Sequence, residues 1–311
     1  MKKKNNALVL ATVATLIGAS ANALSKLGLE GFSPIPMAVL RHFFTTLFFI
    51  ALAIFSKIKL PKLKDIPWFF LTGFSGFAMF SLLFNLGLET TDVSMASIIL
   101  GTFPIMTIII AAIVFKEKIA LGSYLAVIIE FAGIIVLFAN KGAFSVSLGA
   151  LLIFISALML AIYNVTQKYL LKKYRPIEII TYSIITCLLM MSMYIPKTVS
   201  ELMVAPPKAL WAVIILGVVA SGVTTILWSI AVSKAKSVST ITNFAFLTPF
   251  LAILYGLLLV PEPLSVKTII GGLVIVGGSI MFQYFNNRQA LKPSNQPKHN
   301  VAEVNDGSKT F

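Results

Sequence analysis

Apolar runs of about twenty residues follow one another along the chain with hardly a break, and polar residues gather in short clusters between them. A helix of that length spans the hydrocarbon core of a bilayer, so the pattern predicts membrane helices. The runs lack the polar–apolar alternation that separates lumen from lipid in a barrel, which sets membrane strands aside. Ten spans are predicted, at about residues 7–27, 36–55, 67–87, 94–115, 120–139, 149–168, 177–195, 208–231, 238–260 and 265–285. The expected fold class is an all-α integral membrane protein. The links Glu89–Val93, Lys116–Ile119 and Pro261–Leu264 are so short that neighbouring spans must run antiparallel, and no link could hold a soluble catalytic domain.

The pattern also repeats. Asn22, Lys26 and Pro34 recur 142 positions later as Asn164, Lys168 and Pro176. Val93, Ser94, Pro104, Glu117 and Gly133 recur 145 positions later as Val238, Ser239, Pro249, Glu262 and Gly278. Two five-span units are therefore expected, residues 1–140 and 141–285, followed by a polar, proline-containing stretch 286–311 read as a disordered cytoplasmic tail. Five is odd, so the second unit starts from the opposite side of the membrane. The two units form inverted repeats, an arrangement that builds a substrate site between them.

Composition and charge sharpen this picture. Of 311 residues 58% are hydrophobic and 12% charged, about half the charged fraction of a soluble domain, and mean hydropathy is +0.94. The formal charge of +14 is unevenly placed. With the N-terminus inside, nineteen of the 25 Lys and Arg residues fall in cytoplasmic segments, five fall on the external side or its edges, and Arg41 lies within a span. That bias puts both termini in the cytoplasm. The excess is a topology signal with some attraction to anionic lipid, and it does not point to a nucleic-acid partner. Cys187 is the sole cysteine, so no intrachain disulfide and no multi-cysteine metal site can form. Lys2–Lys4, the apolar run after them and Ala19-Ser20-Ala21 mimic a cleavable signal, but the sixth span carries the same Asn and Lys mid-chain, so residues 7–27 read as a retained helix.

The candidate chemistry is polar groups at membrane depth. Asn22 and Lys26 share a face of span 1, as do Asn164 and Lys168 of span 6, with Gln167 alongside. The asparagines are read as cavity lining and the lysines as snorkelling to the interface. Asn85 and Asn243 are further substrate contacts. Tyr163 and Trp228 are either substrate contacts or interfacial anchors. Arg41 can attract an anion or reach the headgroups, and its neighbour His42 can sense protons or be structural. Glu130, mid-span 5, is a proton-carrier candidate, though its repeat partner is Ile275; it could also be protonated at rest or bonded across a homodimer contact. Pro104 and Pro249, near the middles of spans 4 and 9, would kink those helices and suit gating. Asp92 and Ser237 stand where each could cap its helix. Small residues, among them Gly217 with Ser221 and Thr72 with Gly76, mark close helix approaches. No metalloprotease, nucleotide-loop or cofactor motif is present, and inverted topology separates Glu117 from Glu262, so no enzyme is expected.

These features resemble the EamA family of the drug/metabolite transporter superfamily. The resemblance rests on Pro34-Ile-Pro-Met-Ala-Val-Leu-Arg41, on Pro104 followed by Phe115-Lys-Glu117, on Pro249 followed by Val260-Pro-Glu262, and on the glycine-bearing spans 5 and 10. The family's Gly-Glu-Arg stands here as Lys116-Glu117-Lys118 and Pro261-Glu262-Pro263, and Glu130 fills a place usually apolar or small. The resemblance implies export of small metabolites, often amino acids, from a bacterial cytoplasm by alternating access. It also implies a central cavity formed by spans 1, 3, 4, 6, 8 and 9, with spans 5 and 10 peripheral. The function expected is a secondary carrier embedded in the cell membrane. The alternatives are an uncoupled facilitator of the same fold and a non-transporting membrane sensor or assembly protein.

Overall fold

A computed structural model describes residues 2–115, 121–138, 147–234, 247–260 and 265–290. Among them the chain is helical throughout, with no strand. Helices α1 (Lys2–Ala19) and α2 (Ala21–Leu29) run on through a break at Ser20, whose hydroxyl donates to the Ile17 carbonyl at 2.7 Å. Then come α3 (Pro34–Ser56), α4 (Ile66–Gly73), α5 (Phe80–Glu89), α6 (Val93–Leu100), α7 (Phe103–Phe115) and α8 (Leu121–Phe138). The rest comprises α9 (Leu148–Leu170), α10 (Pro176–Met191), α11 (Ile195–Leu202), α12 (Pro207–Ile215), α13 (Thr224–Lys234), α14 (Leu247–Leu259) and α15 (Val266–Ala290). Seven helical segments are long and apolar enough to cross a membrane, and shorter apolar stretches lie at Gly122–Gly133 and Thr268–Phe282. Pro34 and Pro176 each open a helix in the first turn, where the missing N–H is not needed.

Two π-helical segments interrupt this regularity. Phe74–Met79 joins α4 to α5, and Leu216–Val223 joins α12 to α13. They begin 142 positions apart. A wider turn leaves carbonyls imperfectly matched to the helix's own N–H groups.

The helices pack through pairs of equivalent contacts. Antiparallel α8 and α15 meet through two glycines: a Cβ on Gly133 would fall 2.6 Å from Ile275, and one on Gly278 would fall 2.6 Å from Glu130. Gly133 also abuts the Gly271 carbonyl at 3.0 Å, and Gly278 abuts that of Ala126 at 3.1 Å. Gly133 and Gly278, Glu130 and Ile275, and Ala126 and Gly271 are all 145 apart, so each contact on one helix is returned by the other. The same holds elsewhere. Gly217 nestles against Arg41, Phe44 and Thr45 of α3, and Gly73 nestles against Ser183, Thr186 and Cys187 of α10. With little hydrophobic drive between helices in lipid, such backbone approaches supply the cohesion. Met37, Phe84, Ile99, Ile153 and Val213 fill the centre, whereas Phe55 and Leu258 point outward, 85% and 70% exposed.

Two expectations need revising, while span 4 is interrupted where a proline break was expected: the helix breaks at Gly101–Thr102, and Pro104 sits in the first turn of α7. The last helix continues to Ala290 rather than ending at 285, because Arg288, Gln289 and Ala290 are good helix formers that need no lipid. Asp92 stands at the N-cap of α6 with extended backbone but makes no side-chain cap bond.

Candidate functional site

The dipeptide Arg41-His42 on α3 reaches both π segments. Arg41 Nε donates to Ser221 Oγ at 3.0 Å, within the segment that precedes α13. His42 Nε2 lies 3.0 Å from the Phe77 carbonyl, within the segment that precedes α5, and 2.7 Å from Ser81 Oγ. A carbonyl only accepts, so Nε2 carries the proton and Nδ1 is a bare acceptor. Thr45, one turn on, lies 2.8 Å from both the Arg41 and Gly217 carbonyls. Arg41's guanidinium also stands 5.9 Å from the centre of the Phe80 ring. Flanked by α5 on one side and Ser221 on the other, it faces the bundle interior rather than the headgroups.

Asn22 is buried on α2 and donates to Ser97 Oγ at 2.8 Å, which ties α2 to α6. Asn85 is fully buried; its amide donates to the Pro34 carbonyl at 3.2 Å, and its oxygen has no partner. Asn164 bonds within α9, to Leu160, at 2.9 Å. Tyr163 packs against Gly76 and Phe77, and its hydroxyl accepts from Gln167 at 2.8 Å, so it serves the α9–π contact. Trp228 is half-buried on α13. Asn243, Ser237, Glu117 and Glu262 lie outside the described residues, and only the backbone of Pro249, in the first turn of α14, is described. Glu130 is 2% exposed and faces α15, which places it inside the protein and away from any dimer surface. Lys26 does not snorkel: its Nζ donates to the Leu88 and Thr91 carbonyls at 2.8 and 3.1 Å, where a cation satisfies the open C-terminal end of α5.

Among the described residues Ser25 Oγ, His42 Nδ1, Asn85 Oδ1, Thr91 Oγ1, Ser123 Oγ, Thr181 Oγ1 and Thr224 Oγ1 are buried without a hydrogen-bond partner. They are spread over α2, α3, α5, the α5–α6 link, α8, α10 and α13. Buried polar atoms are rarely left so, and a membrane offers no water to correct them. Reading by spacing missed Ser97, Ser81 and the π segments; Ser221's place on the Gly217 face was the one available signal.

Charge ties the two halves together at the α3–α4 link and at the α2–α3 link. Lys173 Nζ pairs with Asp65 at 2.7 Å, Tyr174 donates to the same carboxylate at 2.8 Å, and Glu178 accepts from Arg175 and from the Lys59 N–H. Hydrogen bonds from Lys173 to Asp65 and then to Tyr169 hold its ammonium above the ordinary lysine range. At the α2–α3 link Ser33 donates to Glu201 through its N–H and hydroxyl at 2.8 and 2.6 Å, and Lys208 meets Glu30 at 2.8 Å.

The model of the EamA-like transporter family matches the chain twice, over residues 5–139 and 147–284. The chain belongs to the EamA-like transporter family. Its relatives include the uncharacterized transporter YdfC of Bacillus subtilis, 29% identical over 91% of this chain and 92% of that one. An uncharacterized transporter of Archaeoglobus fulgidus is 27% identical, covering 87% and 96%. A protein of Streptantibioticus cattleyicolor named "Probable terminal-alkyne amino-acid exporter" is 25% identical, covering 92% and 93%. A crystal structure with 16% identity shares the fold at a TM-score of 0.62, over 93% of this chain and 98% of the other. The family and its relatives' names mark this EamA-like protein as a multi-pass membrane transporter rather than an enzyme.

Proposed function

We propose that this protein is a secondary carrier that moves a small metabolite across the bacterial cell membrane by alternating access. Two inverted five-helix units, with both termini cytoplasmic, would expose a shared site to each side in turn. The double family match and the returned contacts across α8–α15 support the inverted repeat. The observation that carries the carrier reading is the Arg41-His42 pair on α3, polar groups at membrane depth that reach both π segments.

In this reading Asn22, Asn85, Asn164 and Asn243 supply polar contacts, with Tyr163 and Trp228 shaping the walls. The break before Pro104, the equivalent Pro249 and the two π segments are the bending points, because their ladders are already interrupted. Glu130 and His42 are the groups that would couple transport to protons. The exporter name of the Streptantibioticus relative favours outward movement of an amino acid or related compound.

Solute counterflow in proteoliposomes tests this, using labelled amino acids and related metabolites with no imposed gradient. Exchange of one chemical class is the expected result. Silence across a broad panel, from protein shown to be folded, would overturn the reading in favour of a sensor.

A further inference from the structure

We propose that Arg41 anchors a carboxylate group of the substrate, with Phe80 against the substrate's organic part; the inference deepens the carrier reading and rests on it. Arg41 lies about two turns inside α3, where a charge is costly unless an anion or dense hydrogen bonding meets it. Neither is present among the described residues. Its one hydrogen bond goes to a neutral hydroxyl, Ser221 Oγ, and no described carboxylate forms an ion pair with it. Glu130, the buried carboxyl of α8, faces Gly278 instead.

The geometry leaves a receptor. With Nε committed to Ser221, the two terminal nitrogens retain the parallel N–H pair that grips a carboxylate at both oxygens. The Phe80 face, 5.9 Å from the guanidinium carbon, gives an apolar wall beside it. The other half of the molecule shows that the scaffold does not require this charge. Ser183 stands 142 positions after Arg41 and presses its backbone on Gly73 as Arg41 presses on Gly217. There a serine suffices, its hydroxyl 2.6 Å from Thr72 Oγ1. A positive charge kept in only one of two equivalent places is explained by a ligand.

The test uses the purified full chain with L-amino acids, their 2-oxo acids, their carboxamides and chloride, read by thermal unfolding and by counterflow. Acids should stabilise and exchange, carboxamides and chloride should not, and Arg41→Gln should abolish the difference. Arg41→Lys should keep it with KM raised by about tenfold, because a point charge replaces a two-pronged grip. Acid-selective stabilisation lost in Arg41→Gln, with no flux from any variant, would uphold the site and remove the carrier reading. Flux indifferent to Arg41→Gln, an equal response to acids and carboxamides, a response to chloride alone, or no response to any acid would each overturn the proposal. Should Arg41→Gln not fold, Phe80→Ala and Arg41→Lys carry the same comparison.

Discussion

The contact of α3 with Gly217 and the contact of α10 with Gly73 are built alike and equipped differently. In each, a glycine admits the neighbouring helix backbone. The surrounding residues, Arg41, Phe44 and Thr45 on one side and Ser183, Thr186 and Cys187 on the other, match in position one for one. The side chains above that backbone diverge. Arg41-His42 reaches two π segments, whereas Ser183-Ile184 makes one hydroxyl contact to Thr72 and otherwise packs. The α8–α15 pair tells the same story, with Glu130 on one side where Ile275 stands on the other. Close backbone packing recurs across the halves because both copies need it. The two intramembrane charges stand where the copies differ, and function should be sought there.

The largest effect should come from breaking what the halves share. Gly73→Val and Gly217→Val each force a side chain into backbone; at Gly217 the first added carbon would sit 2.7 Å from the Arg41 carbonyl. Each should cost about 3 kcal/mol or more, the upper end of overpacking, seen as loss of monodisperse protein in detergent. A tolerated Gly73→Val beside a ruinous Gly217→Val would break the equivalence.

Symmetrising the chemistry comes next. Arg41→Ser copies the other half, so it should fold with little change in melting temperature and lose at least about tenfold in flux, the cost of one charged contact. Ser183→Ala should do the reverse, costing at most about 1 kcal/mol for one lost hydrogen bond, since the Thr72 hydroxyl keeps the Trp68 and Phe69 carbonyls, while transport stays within about twofold. Glu130→Gln keeps the shape against Gly278 and removes only the titrating proton. Counterflow should survive it, and stimulation by an imposed pH gradient should vanish. Persistence of that stimulation would remove Glu130 from proton coupling.

How far this could be read from sequence follows the same division. Hydrophobic run length marked an all-helical membrane protein, of which seven span-length helices stand among the described residues, and the 142- and 145-residue spacings exposed the repeat that the family model matches twice, because membrane insertion and glycine contacts act through local composition. Lys26 was misjudged as snorkelling since its partners are the backbone carbonyls of Leu88 and Thr91, which carry no side-chain signature. The interruption of span 4 was legible in Pro104, but its place at Gly101–Thr102, where the Thr102 hydroxyl bonds the Ile99 carbonyl at 2.7 Å, was not. The π segments had no sequence mark beyond their glycines. Arg41 and His42 were legible as unusual, but their partners Ser221, Phe77 and Ser81 come from helices distant in the chain.

The smallest effect belongs to the Asp65–Lys173 tie, which joins the two halves: Asp65 is buried, but its lysine is partly exposed and Tyr174 still donates to the carboxylate when the lysine is lost. Its signature is the pH dependence. Lys173 titrates above its unfolded value because the ammonium is held by Asp65 and Tyr169. A raised folded pKa means that the stabilisation is complete below about pH 10, the unfolded lysine range, and is lost as pH rises through the higher folded value. Wild type should therefore melt slightly above Lys173→Ala, by a constant margin from about pH 6 to pH 9, and the margin should close in alkali. The margin should also shrink in strong acid, where Asp65, held below the usual carboxylate range first by the Lys173 hydrogen bond and then by Tyr174, takes up its proton; a margin unmoved in alkali would leave the lysine a bystander. If the Asp65–Lys173 contact is a hinge, Asp65→Cys with Lys173→Cys cross-linked by disulfide should still transport. Arrest by that cross-link would make the tie a gate that opens in every cycle.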